Sequence, residues 1–98
     1  MMTESNLTRL HAVIEGRVQG VGFRAFAIRK AEELGLNGWV RNRWDGSVEI
    51  TAEGERVMLD KFVAALFVGP PSANVTRLTP EWQSATGEFS RFSARSSA

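Results

Sequence analysis

The residues best able to do chemistry lie in one stretch, Gly16-Arg17-Val18-Gln19-Gly20-Val21-Gly22-Phe23-Arg24. It spends three glycines in the seven positions from 16 to 22 and ends on an arginine. Glycine takes positive φ angles that other residues avoid, so successive backbone N–H groups in such a loop can turn inward onto one point. A helix opening at its end adds free N–H groups and the positive end of its dipole. The concavity suits a phosphate-sized anion without needing a basic patch. Arg24, in the first helical turn, can close it with a planar two-pronged contact that lysine cannot imitate. The same glycines can equally serve a tight strand-to-helix connection that binds nothing. The loop lacks the Gly-Lys-Ser/Thr ending of a Walker loop and the spacing of the dinucleotide fingerprint, so no nucleotide is implied.

Asn42 is the second candidate. It ends the run Gly38-Trp39-Val40-Arg41-Asn42, just before Asp45-Gly46. Asparagine in that setting is an ordinary turn former. Two strands joined through a helix run parallel, however, which brings the end of the second beside the end of the first, where the glycine loop begins. A carboxamide there can hold a water molecule facing the bound phosphate.

What the chain lacks narrows the reaction. It has no cysteine, which removes thiolate nucleophiles, disulfides and thiolate metal sites. The single histidine, His11, falls on the strand face opposite Leu10 and Ala12 and reads as a solvated surface residue. Asp45 belongs to a turn and Asp60 to the outer side of a helix, and no His/Asp/Glu spacing resembles a metal site. Ser47 and Thr51 have no evident base to activate them. A phosphate pocket built from one arginine, one amide and backbone donors suits only a substrate with a good leaving group. An acyl phosphate is such a substrate, because its carboxylate departs as a stable anion without protonation. The protein need only hold the phosphoryl group, stabilise its charge and aim a water in line. No metal and no cofactor are expected.

The elements that must position these groups follow from periodicity. Leu10–Arg17 alternates as a strand, with Leu10, Ala12 and Ile14 on one face. A helix is predicted from Phe23 to Leu34, striped by Phe23, Ala27, Ala31 and Leu34 and ended by Gly35. Gly38–Arg43 and Ser47–Ala52 pair as a hairpin around Trp44-Asp45-Gly46. Gly54 is expected to break the second of these strands. A second helix then runs from about Glu55 to Phe67 until Gly69-Pro70-Pro71 stops it. Asn74–Leu78 and a weaker Phe89–Ala94 supply the closing strands. The order predicts an α+β, ferredoxin-like split βαββαβ sandwich, with two helices on one face of an antiparallel sheet.

At 98 residues the chain is one domain, 1–98, with 1–8 and 95–98 expected as loose tails. Twelve basic residues against eleven acidic leave a net charge of +1, which attracts no polyanion globally. The segment Ser47-Val48-Glu49-Ile50-Thr51 carries no aromatic residue on which an RNA base could stack, so a nucleic-acid module is disfavoured. No stretch approaches the roughly 20 apolar residues of a membrane span, and no apolar signal core opens the chain. The expectation is a cytoplasmic monomer that binds neither membrane nor nucleic acid.

These residues resemble the acylphosphatases from about Leu10 to Phe92. The resemblance is carried by Gly16–Arg24 and by Gly35-Leu36-Asn37-Gly38-Trp39-Val40-Arg41-Asn42. It continues through Asp45-Gly46, Gly54, Phe62, Gly69-Pro70 and Ala73-Asn74-Val75. It implies a ferredoxin-like fold and cofactor-free hydrolysis of acyl phosphates, with inorganic phosphate or sulfate as a competing ligand. It assigns phosphate binding to Arg24 and the backbone from Gln19 to Phe23, and water orientation to Asn42. Family members often end in an aromatic residue whose carboxylate helps hold the arginine; here the aligned tail reads Phe92-Ser93-Ala94-Arg95-Ser96-Ser97-Ala98. Two alternatives stand beside this reading: a phosphate-binding domain without chemistry, and the acylphosphatase-like module of a hydrogenase-maturation carbamoyltransferase.

Overall fold

The computed structural model describes residues 7–98. Its elements run β1 (Leu7–Arg17), α1 (Phe23–Glu33), β2 (Asn37–Asn42), β3 (Val48–Glu55), α2 (Arg56–Val68), β4 (Asn74–Ser84) and β5 (Phe92–Ala94). The five strands form one sheet in the order β4-β1-β3-β2-β5. Both β1 and β2 are antiparallel to β3, which lies between them, so β1 and β2 run parallel to each other.

Alternation decides which sheet face is covered. Leu10, Ala12 and Ile14 of β1 and Val48, Ile50 and Ala52 of β3 are fully buried and point to the same side. Phe23, Ala27 and Ala31 of α1 and Leu59, Phe62 and Leu66 of α2 meet them there. Each large side chain so buried stabilises the fold by about 1.5–3 kcal/mol relative to exposure. Phe62 also meets Phe92 edge-on at 5.9 Å between ring centroids, which ties α2 to the short edge strand. The fold is the predicted ferredoxin-like α+β sandwich.

The other sheet face carries charge and aromatic rings. Trp39 is flanked by the guanidinium groups of Arg41 and Arg95, 4.7 and 4.9 Å from its ring. His11 is half-buried there, not fully solvated as expected, and lies 2.7 Å from Glu49 Oε2.

Four details differ from the sequence expectation. The sheet is mixed, not antiparallel throughout: β5 runs parallel to β2, pairing Gly38 with Phe92 and Val40 with Ala94. Gly54 does not break β3 but pairs with Thr8 inside it. β4 continues past Leu78 to Ser84 although Pro80 lies within it, because β4 is an edge strand where a missing N–H costs no ladder bond. Leu7 and Thr8 belong to β1, and the expected loose tail 95–98 is hydrogen-bonded along β2. There the Arg95 N–H donates to Val40 O at 2.9 Å and the Ala98 N–H to Asn42 O at 3.1 Å. Residues 1–6 of the other expected tail lie outside the described residues. Among the described residues no helix is long and apolar enough to cross a membrane.

Candidate active site

The register places the candidate residues at one end of the sheet. Ile14 of β1 faces Val48 of β3, and Val48 faces Asn42 of β2, so the three form a row across the strands. Because Ile14 and Val48 point to the helix side, so does Asn42. β1 ends three residues beyond Ile14, and the glycine loop leaves from there toward α1, also on the helix side.

Apolar anchors hold the loop down. Val18 is 1% exposed and Phe23 2%, both within the core, and Val21 packs against it. Between them Gly20 and Gly22 take φ of +74° and +80°. A Cβ built on either would meet no atom within 4 Å, so glycine is required here by backbone conformation and not by crowding. The space outside the loop is left open.

Gln19 joins this loop to the strand end that carries Asn42. Its side-chain Nε2 donates to Arg43 O at 2.8 Å and to Ser47 O at 2.9 Å, gripping both sides of the β2–β3 turn. Sequence reading assigned Gln19 only a backbone amide. Its side-chain role gives no signal in sequence, since the partners are carbonyls 24 and 28 residues away.

α1 opens in an unusual way for a helix end. Its N-cap is Gly22, in left-handed conformation, with no side-chain capping bond, and no acidic residue lies in the first turn. The first helical bond is donated by Phe26 N–H to Gly22 O at 3.1 Å. The N–H groups of Phe23, Arg24 and Ala25 precede it and have no acceptor within the helix. Arg24 adds a positive charge where the dipole disfavours one. It is exposed and, among the described residues, enters no ion pair with a carboxylate.

The remaining polar groups nearby are engaged. Ser47 is buried, and both its hydroxyl (2.6 Å) and its N–H (2.9 Å) donate to Asp45 Oδ1. These bonds from Ser47 hold the Asp45 carboxyl below its ordinary range. The Ser47 hydroxyl is thereby committed to Asp45, and a carboxyl so lowered is a weak proton acceptor. His11 lies on the far sheet face, away from the loop. A concavity of about 800 Å³ sits at the opposite end of the sheet between Leu34, Asn37, Met58, Thr86 and Phe89, and contains none of the candidate residues.

The arrangement can therefore accept an anion at the start of α1 while presenting a half-buried carboxamide from the end of β2, across β3. Comparison with known proteins identifies the family. The acylphosphatase family model matches residues 10–94. An acylphosphatase of Pelotomaculum thermopropionicum is 50% identical over 84 residues, spanning 86% of this chain and 91% of that protein. The structure of an acylphosphatase from Coxiella burnetii superimposes with a TM-score of 0.89 at 40% identity, covering 97% of this chain and 99% of that one. Full-length HypF, solved in a phosphate- and nucleotide-bound form, gives a TM-score of 0.84 at 28% identity, but the match spans 12% of its length. Higher identity and fuller coverage favour the first kind of relative over the second. With the family model spanning residues 10–94, half of 84 aligned residues identical along 91% of a curated relative, and this fold, the chain belongs to the acylphosphatase family.

Proposed function

We propose that the chain carries out the acylphosphatase reaction by direct attack of water on phosphorus, with Arg24 and the Gln19–Phe23 amides holding the phosphoryl group and Asn42 orienting the water. The water oxygen forms the new bond to phosphorus as the bond to the acyl oxygen breaks. The carboxylate leaves with the electron pair, and the proton released by water passes to phosphate product or solvent. No group need change its protonation state to assist departure, in keeping with a loop region whose serine and aspartate are already bonded to each other. The donors stabilise charge on the three equatorial oxygens, where preorganised N–H groups and a guanidinium act most strongly.

The observation that carries this reading is the opening of α1. A helix start with no side-chain capping bond, no acidic residue and an arginine in its first turn is costly alone and becomes favourable around an external anion. Gln19 supports it by fastening the cradle to the strand end that bears Asn42. Inorganic phosphate or sulfate occupies the same cradle and competes with substrate. The substrate is a small-molecule acyl phosphate, and a net charge of +1 leaves its capture to the local cradle and not to a global field.

The test is steady-state turnover of acetyl phosphate by two variants. Arg24→Ala is expected to raise KM and abolish competitive inhibition by phosphate along with most activity. Asn42→Ala is expected to lower kcat roughly 10²-fold or more while phosphate still inhibits. An Asn42→Ala protein with unchanged kcat would refute the assignment of the water to that side chain.

A further inference from the structure

Beside the phosphate cradle lies one large side chain that the reaction above does not use. Trp44 is 83% exposed, the most exposed of the large hydrophobic residues among those described. It follows Asn42 by two residues, so the two Cα atoms stand no more than about 7.6 Å apart. Single exposed apolar side chains are common and by themselves mean little. What distinguishes this one is how firmly its backbone is held.

The Trp44 N–H donates to Ala98 O at 2.8 Å, and the Gly46 N–H closes the turn onto Arg43 O at 3.0 Å. Asp45 is fixed by the hydroxyl and N–H of Ser47. Gln19, itself part of the cradle, bonds the carbonyls of Arg43 and Ser47 on either side of the turn. A hairpin tip of this kind is ordinarily among the loosest parts of a fold. Here the two bonds from Gln19 pin the turn Arg43–Ser47 to the cradle, the Trp44 N–H pins it to Ala98, and the bonds within the turn hold its shape. The turn thus presents a flat aromatic ring whose base does not have to be ordered when something stacks on it.

We infer that Trp44 is a specificity-determining residue that contacts the acyl group, and that the preferred substrates carry an apolar, flat acyl group, as in an aroyl phosphate. This rests on the site reading given above. Once the phosphoryl end is seated at the start of α1, the acyl group must extend outward past the rim, and the Asn42–Trp44 strand end forms part of that rim. The cradle recognises only phosphate, so discrimination between acyl groups has to come from what lies outside it. An indole face gives an aromatic acyl group an offset stack and gives an acetyl group almost nothing.

The experiment compares benzoyl phosphate with acetyl phosphate on the wild-type chain and on Trp44→Ala and Trp44→Phe. Trp44→Ala is expected to raise KM for benzoyl phosphate roughly three- to tenfold, with kcat nearly constant, while KM for acetyl phosphate moves less than twofold. Trp44→Phe is expected to restore most of the lost discrimination. The non-hydrolysable benzoylphosphonate should bind with a quench of indole fluorescence that Trp44→Phe reduces. Equal shifts for both substrates, or none for either, would overturn the inference while leaving the phosphate site intact. Failure of the wild-type chain to turn over either substrate would instead strike at the site reading, and the inference would fall with it.

Discussion

Arg24 is the residue whose placement makes least sense without a ligand. It sits in the first turn of α1, where the helix dipole repels cations, and among the described residues no carboxylate compensates it. A local conflict of that kind, in a chain whose other elements obey their own propensities, marks a position kept for function. The charge alone does not explain the residue type, since lysine would supply the same charge. Two parallel N–H donors on a rigid plane match two phosphoryl oxygens, and an ammonium on a flexible stem does not. Arg24→Lys is therefore expected to keep the fold and its thermal midpoint but to lose about tenfold or more in kcat/KM for acetyl phosphate, with weaker inhibition by phosphate. A lysine variant with wild-type kcat/KM would show that simple charge suffices.

At the scale of elements, the site depends on two pieces of chain meeting: the β1–α1 loop and the β2–β3 turn. Their meeting was half legible in sequence. Parallel β1 and β2 follow from a helix between them, and that alone brings Asn42 near the glycine loop. The alternation of Leu10, Ala12 and Ile14 and the stripe of Phe23, Ala27 and Ala31 likewise fixed the two elements that flank the loop. Gln19 was not legible, because a side chain that bonds two distant carbonyls leaves no periodic trace. Nor were the length of β4 or the parallel edge strand β5. Pro80 reads as a strand breaker until the topology shows that it lies on an edge, and three residues are too few to show a period. The Gln19 bridge can be tested by Gln19→Ala, which keeps the backbone amide of the cradle and removes both bonds to Arg43 O and Ser47 O. The expected outcome is a loss of about 1–2 kcal/mol in denaturant unfolding. With it should come a fall in kcat larger than the rise in KM if the proposed roles hold, since the strand end that carries Asn42 and the glycine loop lose their common register. An unchanged kcat would show that the two pieces keep their spacing without Gln19.

For the whole molecule, function at one end of the sheet is supported by a polar cluster at the other. Glu53 is 6% exposed, yet each of its oxygens is used. Oε2 accepts from Arg9 Nε at 2.7 Å and Thr86 N–H at 2.9 Å, and Oε1 accepts from Gly87 N–H at 2.9 Å. Arg9 in turn reaches Glu88 at 2.7 Å and lies 5.2 Å from the centre of the Phe89 ring. This one carboxylate therefore fastens the long β4–β5 connection to β1 and β3, and through it the segment that runs on beside β2 to Trp44. Burial pushes the Glu53 carboxyl up, but the Thr86 N–H, Arg9 and the Gly87 N–H outweigh it and leave the group below the usual glutamate range. Glu49 is lowered in the same way, against its burial, by His11 and Arg41. A carboxyl lowered in the folded state binds its proton more readily in the unfolded chain. Its contribution is thus complete above the ordinary glutamate pKa of about 4.3 and is lost as pH falls through the lower folded value. Unfolding free energy, measured by denaturant titration, is accordingly expected to stay flat from about pH 7 to 5.5 and to decline steadily below about pH 5. Glu53→Gln should cost about 1–3 kcal/mol at neutral pH, because it leaves Arg9 with Glu88 as its one carboxylate partner and turns an amide N–H toward backbone donors. It should also flatten the acid decline, while acetyl phosphate turnover by the folded fraction persists, since Glu53 lies at the end of the sheet away from Asn42. An acid profile identical in slope to wild type would locate the pH dependence elsewhere and leave Glu53 with a packing role alone.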